Sequence, residues 1–162
     1  MDRLWSPWRS EYITSGAADS ESRGCVFCEI GNLPDQDDAN LVVHRGLHAF
    51  IVLNLYPYTS GHLLIVPFEH VGDLDDAAKQ ITDEMMDLTK LSQKALREVY
   101  QPSGFNVGMN LGKAAGAGIA EHIHIHILPR WIGDTNFITT VGETRVLPED
   151  LTTTYKKLRN KF

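Results

Sequence analysis

The stretch Glu121-His-Ile-His-Ile-His-Ile-Leu-Pro-Arg130 has a histidine at every second position, with isoleucines between them. Successive residues of a β-strand point to opposite faces of the sheet, so the alternation predicts a strand over 121–128 with an apolar face and an imidazole face. On that strand His122, His124 and His126 would lie about 7 Å apart, close enough to act on one substrate. We therefore expect an exposed working surface that carries three of the seven histidines in the chain.

Two other interpretations of the histidine row stay open. A purely structural strand is the weaker one, because three histidines at a strict period of two rarely arise by chance. A catalytic metal held by a His-x-His pair is the second, although no carboxylate lies in the alternating row to complete its ligand set. Histidine has an ordinary pKa of about 6.5, so the row can also supply a nucleophile and proton donors without a metal.

Composition predicts a folded, soluble protein of one domain. Of the 162 residues, 43% are hydrophobic, which is enough to build a core. The formal net charge of −6 and the absence of a basic run argue against a nucleic-acid partner held through its phosphates. The first residues lack the apolar segment of a signal peptide, and no stretch is long enough for a membrane span, so we expect a cytoplasmic protein.

Hydrophobic periodicity predicts an α+β fold with a largely antiparallel sheet, because most connections between the strands are short. Apolar residues recur near the helical period from Ile81 to Val99, which predicts one long helix that ends before Pro102. Five apolar or alternating segments predict the strands: Leu41 to His44, His48 to Leu53, His62 to Val66, Phe105 to Asn110 and Glu121 to Leu128.

The ends of the chain differ from its middle. Residues 14–24 are rich in Ser, Gly and Ala and predict a flexible link. Pro148-Glu-Asp resembles a helix start, and the basic residues up to Lys161 resemble a helix end. We therefore expect an N-terminal extension (1–23), a main domain (24–131) and a C-terminal extension with a short helix (132–162).

The loop before the histidine row, Lys113-Ala-Ala-Gly-Ala-Gly118, consists largely of small residues. Small residues let backbone N–H groups approach an anion closely, as they do in glycine-rich phosphate loops. The signal is weak alone, because such glycines often make only a mobile connection. Its position directly before the histidines favours a phosphate site.

Cys25 and Cys28, in Cys-Val-Phe-Cys, are the only cysteines. In a cytosolic protein such a pair binds a metal or is redox-active more often than it forms a structural disulfide. No βαβ pattern surrounds it, so a thioredoxin-type role is the weaker interpretation. Two thiolates supply half of the four ligands that zinc prefers, and spacing alone leaves His44 or His48 open for the others. Two reduced cysteines without a metal remain the alternative.

The residues 122–128 match the His-φ-His-φ-His-φ-φ signature, and the chain resembles the histidine triad superfamily of nucleotide hydrolases and transferases. The similarity extends over about residues 25–130, and the Asn-x-x-Pro-x-x-x-Gly-His arrangement from Asn54 to His62 resembles the fragile-histidine branch. That branch acts on dinucleoside polyphosphates. Four stretches resemble bacterial diadenosine tetraphosphate phosphorylases: Leu4-Trp-Ser-Pro-Trp-Arg9, Asn54-Leu-Tyr-Pro-Tyr58, Gly104 to Gly112 and Arg130 to Phe137.

The resemblance implies a HIT-like fold and a role for each site residue. His124 is similar to the nucleophile that attacks the α-phosphate and forms a nucleotidyl-histidine, and His62 and His126 are similar to catalytic, phosphate-contacting partners. Asn110 stands in the place of a glutamine that contacts substrate in hydrolases. The implied substrate-binding residues are His126, Asn54 in the nucleoside site, Asn110, and the phosphate loop Gly116, Ala117, Gly118 and Ile119.

The resemblance also implies a homodimer or a higher homo-oligomer, in which two small sheets join into a larger one. The metal-containing relatives imply a structural zinc ion. The resemblance implies no organic cofactor, and it leaves open whether Mg²⁺ binds with the nucleotide. The implied zinc ligands are Cys25, Cys28, His70 and His122.

The loop departs from the hydrolase pattern, and this bears on the reaction. Hydrolases carry Gly-Gln-Ser/Thr where this chain has Gly116-Ala-Gly118 and one extra residue before His122. The missing side-chain donors put water activation in doubt and favour orthophosphate as the acceptor, which would give ATP and ADP from diadenosine tetraphosphate. Hydrolysis of dinucleoside polyphosphates or nucleoside phosphoramidates is the alternative, and a nucleotide-binding sensor without catalysis is a third interpretation.

Overall fold

The protein is described by a computed structural model over residues 24–142 and 147–162, so the predicted N-terminal extension lies outside the described residues. The helices are α1 (Val26–Gly31), α2 (Asp37–Asn40), α3 (Lys79–Tyr100), α4 (Phe137–Val141) and α5 (Leu151–Arg159), with 3₁₀ turns at Pro34–Gln36 and Lys113–Ala115. The strands are β1 (Val42–Arg45), β2 (Ala49–Leu53), β3 (Leu63–Pro67), β4 (Gly104–Gly108) and β5 (Ile125–Arg130).

The strands form one sheet in the order β1-β2-β3-β5-β4, and every neighbouring pair is antiparallel. The predicted α+β fold with an antiparallel five-stranded sheet, one long helix and a C-terminal helix is therefore confirmed. His126 of β5 pairs with Leu64 on one side and with Gly108 on the other. This register places His126 between the two neighbouring strands.

The two faces of the sheet have different covers. One face packs against α3 and α5, and Leu63, Ile127 and Leu158 in this layer are completely buried. Burial of each such side chain stabilises the fold by about 1.5 to 3 kcal/mol. The other face carries a smaller apolar cluster, in which Phe27 of α1 packs with five strand residues: Val42, Phe50, Val52, Leu64 and Val66. The histidines lie on this second face, beside Phe27.

The long helix ends as predicted, because Gln101 adopts a left-handed conformation (φ 46°) and Pro102 cannot continue a helix. The C-terminal helix begins at Leu151 and is capped by Asp150, whose carboxylate accepts a hydrogen bond from the Thr153 N–H at 2.8 Å. The short helices α1, α2 and α4 were not predicted. No helix in the described parts of the chain is long and apolar enough to cross a membrane.

The histidine strand begins later than predicted. We expected it from Glu121, but β5 starts at Ile125, so His122 and His124 precede the strand. The reason is a change of partner: the Ile123 N–H donates to the Val71 carbonyl at 2.8 Å, beyond the end of β3. The fourth strand likewise ends at Gly108, two residues before its predicted end.

Candidate functional site

His124 lies between the glycine-rich loop and β5, with its Nδ1 3.0 Å from the His122 carbonyl oxygen. A carbonyl only accepts hydrogen bonds, so Nδ1 carries the ring proton and Nε2 carries the lone pair. The ring contacts Phe27 (centroid distance 5.1 Å) and His126 (4.8 Å). Only 7% of His124 is exposed. The expectation of an exposed imidazole surface is therefore wrong, because α1 packs Phe27 over it.

His126 and His62 form a direct contact. Nδ1 of His126 lies 2.9 Å from Nε2 of His62. Nε2 of His126 is buried and has no hydrogen-bond partner among the residues that the structure describes. His62 is 1% exposed and precedes β3. The resemblance implied that both rings contact phosphate; in the structure His62 is almost completely buried and its Nε2 faces Nδ1 of His126.

Burial keeps these three imidazoles uncharged. It lowers the pKa of His124, although the hydrogen bond to the His122 carbonyl opposes the shift. It also lowers the pKa of His126 to about 4 and that of His62 to about 3, and repulsion from neighbouring histidines adds to both shifts. At neutral pH each ring therefore offers one N–H donor and one lone pair.

Asn54 shapes the turn that precedes His62. Its Oδ1 accepts a hydrogen bond from the Tyr56 N–H at 2.9 Å, and its Nδ2 lies 3.4 Å from both ring nitrogens of His62. The Tyr58 N–H reaches Nδ1 of His62 at 3.1 Å, and the Tyr58 ring packs on the His62 ring at a centroid distance of 4.8 Å. The predicted nucleoside-site residue thus lies beside the histidines, but its amide oxygen is occupied within the turn.

The glycine-rich loop leaves the sheet beside His126, since Gly108 pairs with that residue. Asn110 follows two residues later and is half-buried. Gly116 adopts a left-handed conformation (φ 87°), which a side chain would disfavour. Ile119 packs against the apolar cluster around Phe27, which holds the end of the loop on the histidine face. This connection contains all four predicted phosphate-loop residues: Gly116, Ala117, Gly118 and Ile119.

A second cluster joins the four residues predicted to bind metal. The ligand atoms of Cys25, Cys28, His70 and His122 all lie within 4.8 Å of one another. Nδ1 of His122 lies 3.3 Å from Sγ of Cys25 and 3.6 Å from Sγ of Cys28, and Nδ1 of His70 lies 3.3 Å from Sγ of Cys28. Zinc–sulfur bonds of about 2.3 Å and zinc–nitrogen bonds of about 2.0 Å imply tetrahedral S···N edges of about 3.5 Å. The donor set fits a tetrahedral metal ion.

The orientation of the His122 ring suits a metal ligand. Its Nε2 lies 2.9 Å from the Pro67 carbonyl oxygen, so Nε2 carries the proton and Nδ1 turns its lone pair to the sulfurs. A ligand histidine commonly donates its second N–H to a carbonyl, which fixes the ring. Of the three histidines in the row, His122 therefore belongs to the cysteine cluster.

Arg45 of β1 fixes helix α1, which carries Phe27 and Cys28. The guanidinium donates to the carbonyls of Ile30 and Gly31 at 2.8 and 2.7 Å, at the end of α1. It also binds the Asp37 carboxylate through Nε and a terminal nitrogen. The Ile30 carbonyl also accepts from the Leu33 N–H at 3.3 Å, so the guanidinium adds to the bonds at the end of the helix and holds α1 against the sheet.

Comparison with known proteins identifies the class. Residues 35–131 match the HIT domain family. This match spans more than half of the chain, and the cluster of His62, His124 and His126 lies within it. The chain belongs to the HIT domain family.

Individual relatives are similar over most of the chain. AP-4-A phosphorylase of Mycobacterium tuberculosis is 41% identical over an alignment that covers 100% of this chain and 85% of that protein. Protein hit of Bacillus subtilis is 27% identical, with 80% and 88% covered. The crystal structure of a Zn-bound histidine triad family protein from Mycobacterium smegmatis superposes with a TM-score of 0.68 at 29% identity, covering 90% of this chain and 94% of that chain.

Sequence reasoning missed two contributors to the site. Phe27, in the apolar gap between the cysteines, contacts both His122 and His124. Tyr58 contacts His62 through its backbone and its ring. The Cys-x-x-Cys spacing alone did not mark Phe27, because Val26 also lies between the two cysteines and is 42% exposed. No sequence signal marks a backbone N–H.

Proposed function

We propose that this protein cleaves dinucleoside polyphosphates by transferring a nucleotidyl group to His124 and then to orthophosphate. The likeness to AP-4-A phosphorylase along the whole of this chain supports a phosphorylase-like nucleotidyltransferase. The observation that carries the proposal is the pairing of His124 with His126: His124 holds its proton on Nδ1 against a carbonyl, and His126 keeps a buried Nε2 without a described partner. One ring supplies a lone pair while its neighbour can contact the substrate.

In the first step, Nε2 of His124 attacks the α-phosphorus of diadenosine tetraphosphate. A P–N bond forms, the bond from this phosphorus to the bridging oxygen breaks, and ATP leaves. His126 would contact the phosphoryl oxygens, whose charge grows in the transition state. The adenylyl group stays on His124 as a covalent intermediate.

In the second step, an oxygen of orthophosphate attacks the same phosphorus. The P–N bond breaks and returns its electron pair to Nε2 of His124, so the product is ADP. The loop supports this choice of acceptor, because Ala117 has no side-chain donor that could orient water. Gly116, Gly118 and Ile119 would contact phosphate through their backbone, with Asn54 and Asn110 beside the nucleotide. Mg²⁺ bound to the nucleotide stays an open prediction.

We further propose that the cluster of Cys25, Cys28, His70 and His122 holds a structural zinc ion. The S···N distances support this assignment, as does the bound zinc of the M. smegmatis relative. Four protein ligands leave no open coordination position, so zinc would stabilise the fold around α1 and take no part in bond breaking.

We also propose a homodimer. The observation behind it is that β4 is an edge strand of the described sheet, and that a Cβ at Gly104 or Gly108 would meet nothing within 4 Å. An edge strand offers unpaired N–H and C=O groups to another strand. A partner strand added there would join two sheets into a larger one.

The decisive experiment for the reaction is product analysis with and without orthophosphate. Diadenosine tetraphosphate should give equal amounts of ATP and ADP in phosphate buffer, and ³²P-labelled orthophosphate should enter the β-position of ADP. Native protein trapped by rapid quenching should carry an adenylyl group on His124. Formation of ATP and AMP at the same rate in both buffers would make the protein a hydrolase instead.

A further inference from the structure

The backbone of the turn before His62 determines where that ring carries its proton. The Tyr58 N–H lies 3.1 Å from Nδ1 of His62, and an amide N–H can only donate. Nδ1 of His62 is therefore the acceptor. In the neutral ring the proton must then lie on Nε2, which points to His126.

The same logic extends one ring further. Nε2–H of His62 lies 2.9 Å from Nδ1 of His126, so Nδ1 of His126 must accept. The proton of neutral His126 is then on Nε2. This nitrogen is the buried atom without a hydrogen-bond partner among the described residues. The lowered pKa values of both rings, about 3 for His62 and about 4 for His126, keep the pair neutral in this arrangement.

We propose that the Tyr58 backbone N–H and His62 are positioning groups, which together fix His126 as the tautomer that presents Nε2–H to the substrate. The inference rests on the proposed function, because it assigns the substrate oxygens as the acceptors of that N–H.

The fixed tautomer matters because of the neighbouring ring. His124 bonds the His122 carbonyl through Nδ1–H and presents a lone pair from Nε2. His124 and His126, 4.8 Å apart between centroids, thus present opposite polarities. Phosphoryl oxygens accept hydrogen bonds and never donate them when ionised. The other tautomer of His126 would place a second lone pair against those oxygens and repel them.

Contacts within the turn hold the Tyr58 N–H in place. The Asn54 side chain closes the turn by accepting from the Tyr56 N–H, and the Asn54 N–H donates to the His62 carbonyl at 3.0 Å. The Tyr58 ring covers both rings of the pair, at 4.8 Å from His62 and 6.1 Å from His126. Asn54 therefore acts on His126 through the turn, in addition to any contact with the nucleotide.

The sharpest test replaces only the backbone N–H. Incorporation of the α-hydroxy analogue of tyrosine at position 58 converts that amide to an ester and leaves the side chain unchanged. In ¹⁵N-labelled native protein, two-dimensional NMR of the ring nitrogens should show His62 and His126 as single Nε2–H tautomers. The ester should convert both to mixtures and lower kcat about tenfold with little change in KM, since one hydrogen bond is lost.

Side-chain variants provide the controls. Tyr58→Phe keeps the backbone N–H and the ring, so both histidines should keep the native tautomers in the NMR spectrum. His62→Leu removes the hydrogen bond to Nδ1 of His126, so His126 should become a mixture of tautomers. This variant tests the inference even if the ester protein does not fold. A native His126 that is protonated on Nδ1, or a tautomer unchanged in both the ester and the leucine variant, would overturn the inference. The NMR readout needs no substrate, so it remains interpretable if the proposed reaction itself fails.

Discussion

His122 and His124 are two residues apart in the same histidine row, yet they belong to different sites. His122 donates through Nε2 to the Pro67 carbonyl and turns Nδ1 to the two cysteines. His124 donates through Nδ1 to the His122 carbonyl and keeps the Nε2 lone pair for other contacts. The backbone carbonyl that each ring meets selects the nitrogen it presents. Identical residues at regular spacing therefore acquire different chemistry from their hydrogen-bond partners.

The largest expected effect falls on the His124 side of this comparison. Replacement His124→Ala removes the proposed nucleophile, and kcat/KM for diadenosine tetraphosphate should fall by about 10⁴-fold or more. The zinc content, measured by atomic absorption, should equal that of the native protein, because the ligand cluster is unchanged. His44→Ala is the matched control, since His44 packs on Phe162, at a ring-centroid distance of 5.8 Å. Turnover retained by His124→Ala would contradict the assignment of the nucleophile.

The next largest effect is expected for a substitution in the cysteine cluster that contains His122. Cys28→Ser should abolish stoichiometric zinc binding and lower the free energy of unfolding in urea by about 4 kcal/mol, the contribution of a ligand present at about 1,000 times its Kd. A chelator should lower the stability of the native protein to the level of the variant and leave the variant unchanged. Equal stability of native protein with and without the chelator would show that the cluster contributes no metal-dependent stability.

The sequence predicts the sheet and the long helix better than it predicts the arrangement of the histidines. Periodicity predicted the sheet and the long helix, because burial of apolar faces imposes those repeats. The pattern could not show that residues 121–124 leave the strand, since the Val71 carbonyl that pairs with Ile123 is distant in sequence. Nor could it show that Nε2 of His62 faces Nδ1 of His126, because the two residues are distant in sequence. Helix α1 was missed because six residues are too few for a helical period to be recognised.

Acidification should lower the free energy of unfolding through His62 and His126. Unfolded histidine titrates near pH 6.5, but the folded pKa values are about 3 and about 4. Below about pH 6.5 the unfolded chain binds more protons, so stability falls as the pH falls, by at most about 1.4 kcal/mol per unit for each ring. Above that pH both rings are neutral in the folded and the unfolded chain, so they no longer make the stability depend on pH. Urea unfolding between about pH 7.5 and 5.5 measures the slope.

The variant His62→Asn isolates this contribution. It removes one depressed pKa and should show a smaller loss of stability on acidification than the native protein. Both proteins share the cysteine cluster, so proton uptake there affects them equally and cancels in the difference. Parallel pH profiles for the two proteins would mean that His62 is not held neutral by burial.

The smallest effect is expected for Phe27, which lies between the metal cluster and His124. Phe27 contacts His122 at 5.5 Å and His124 at 5.1 Å, so it can transmit changes in the metal cluster to the proposed nucleophile. Phe27→Leu should cost about 1 kcal/mol of stability, while it weakens zinc affinity and lowers kcat by a few-fold each. Phe50→Leu is the matched control, because Phe50 lies in the same apolar cluster but its ring contacts Phe68, at a centroid distance of 5.3 Å. It should lose similar stability and keep both other properties. If the two variants behaved alike in zinc titration and in turnover, the metal cluster and the histidine pair would be independent neighbours.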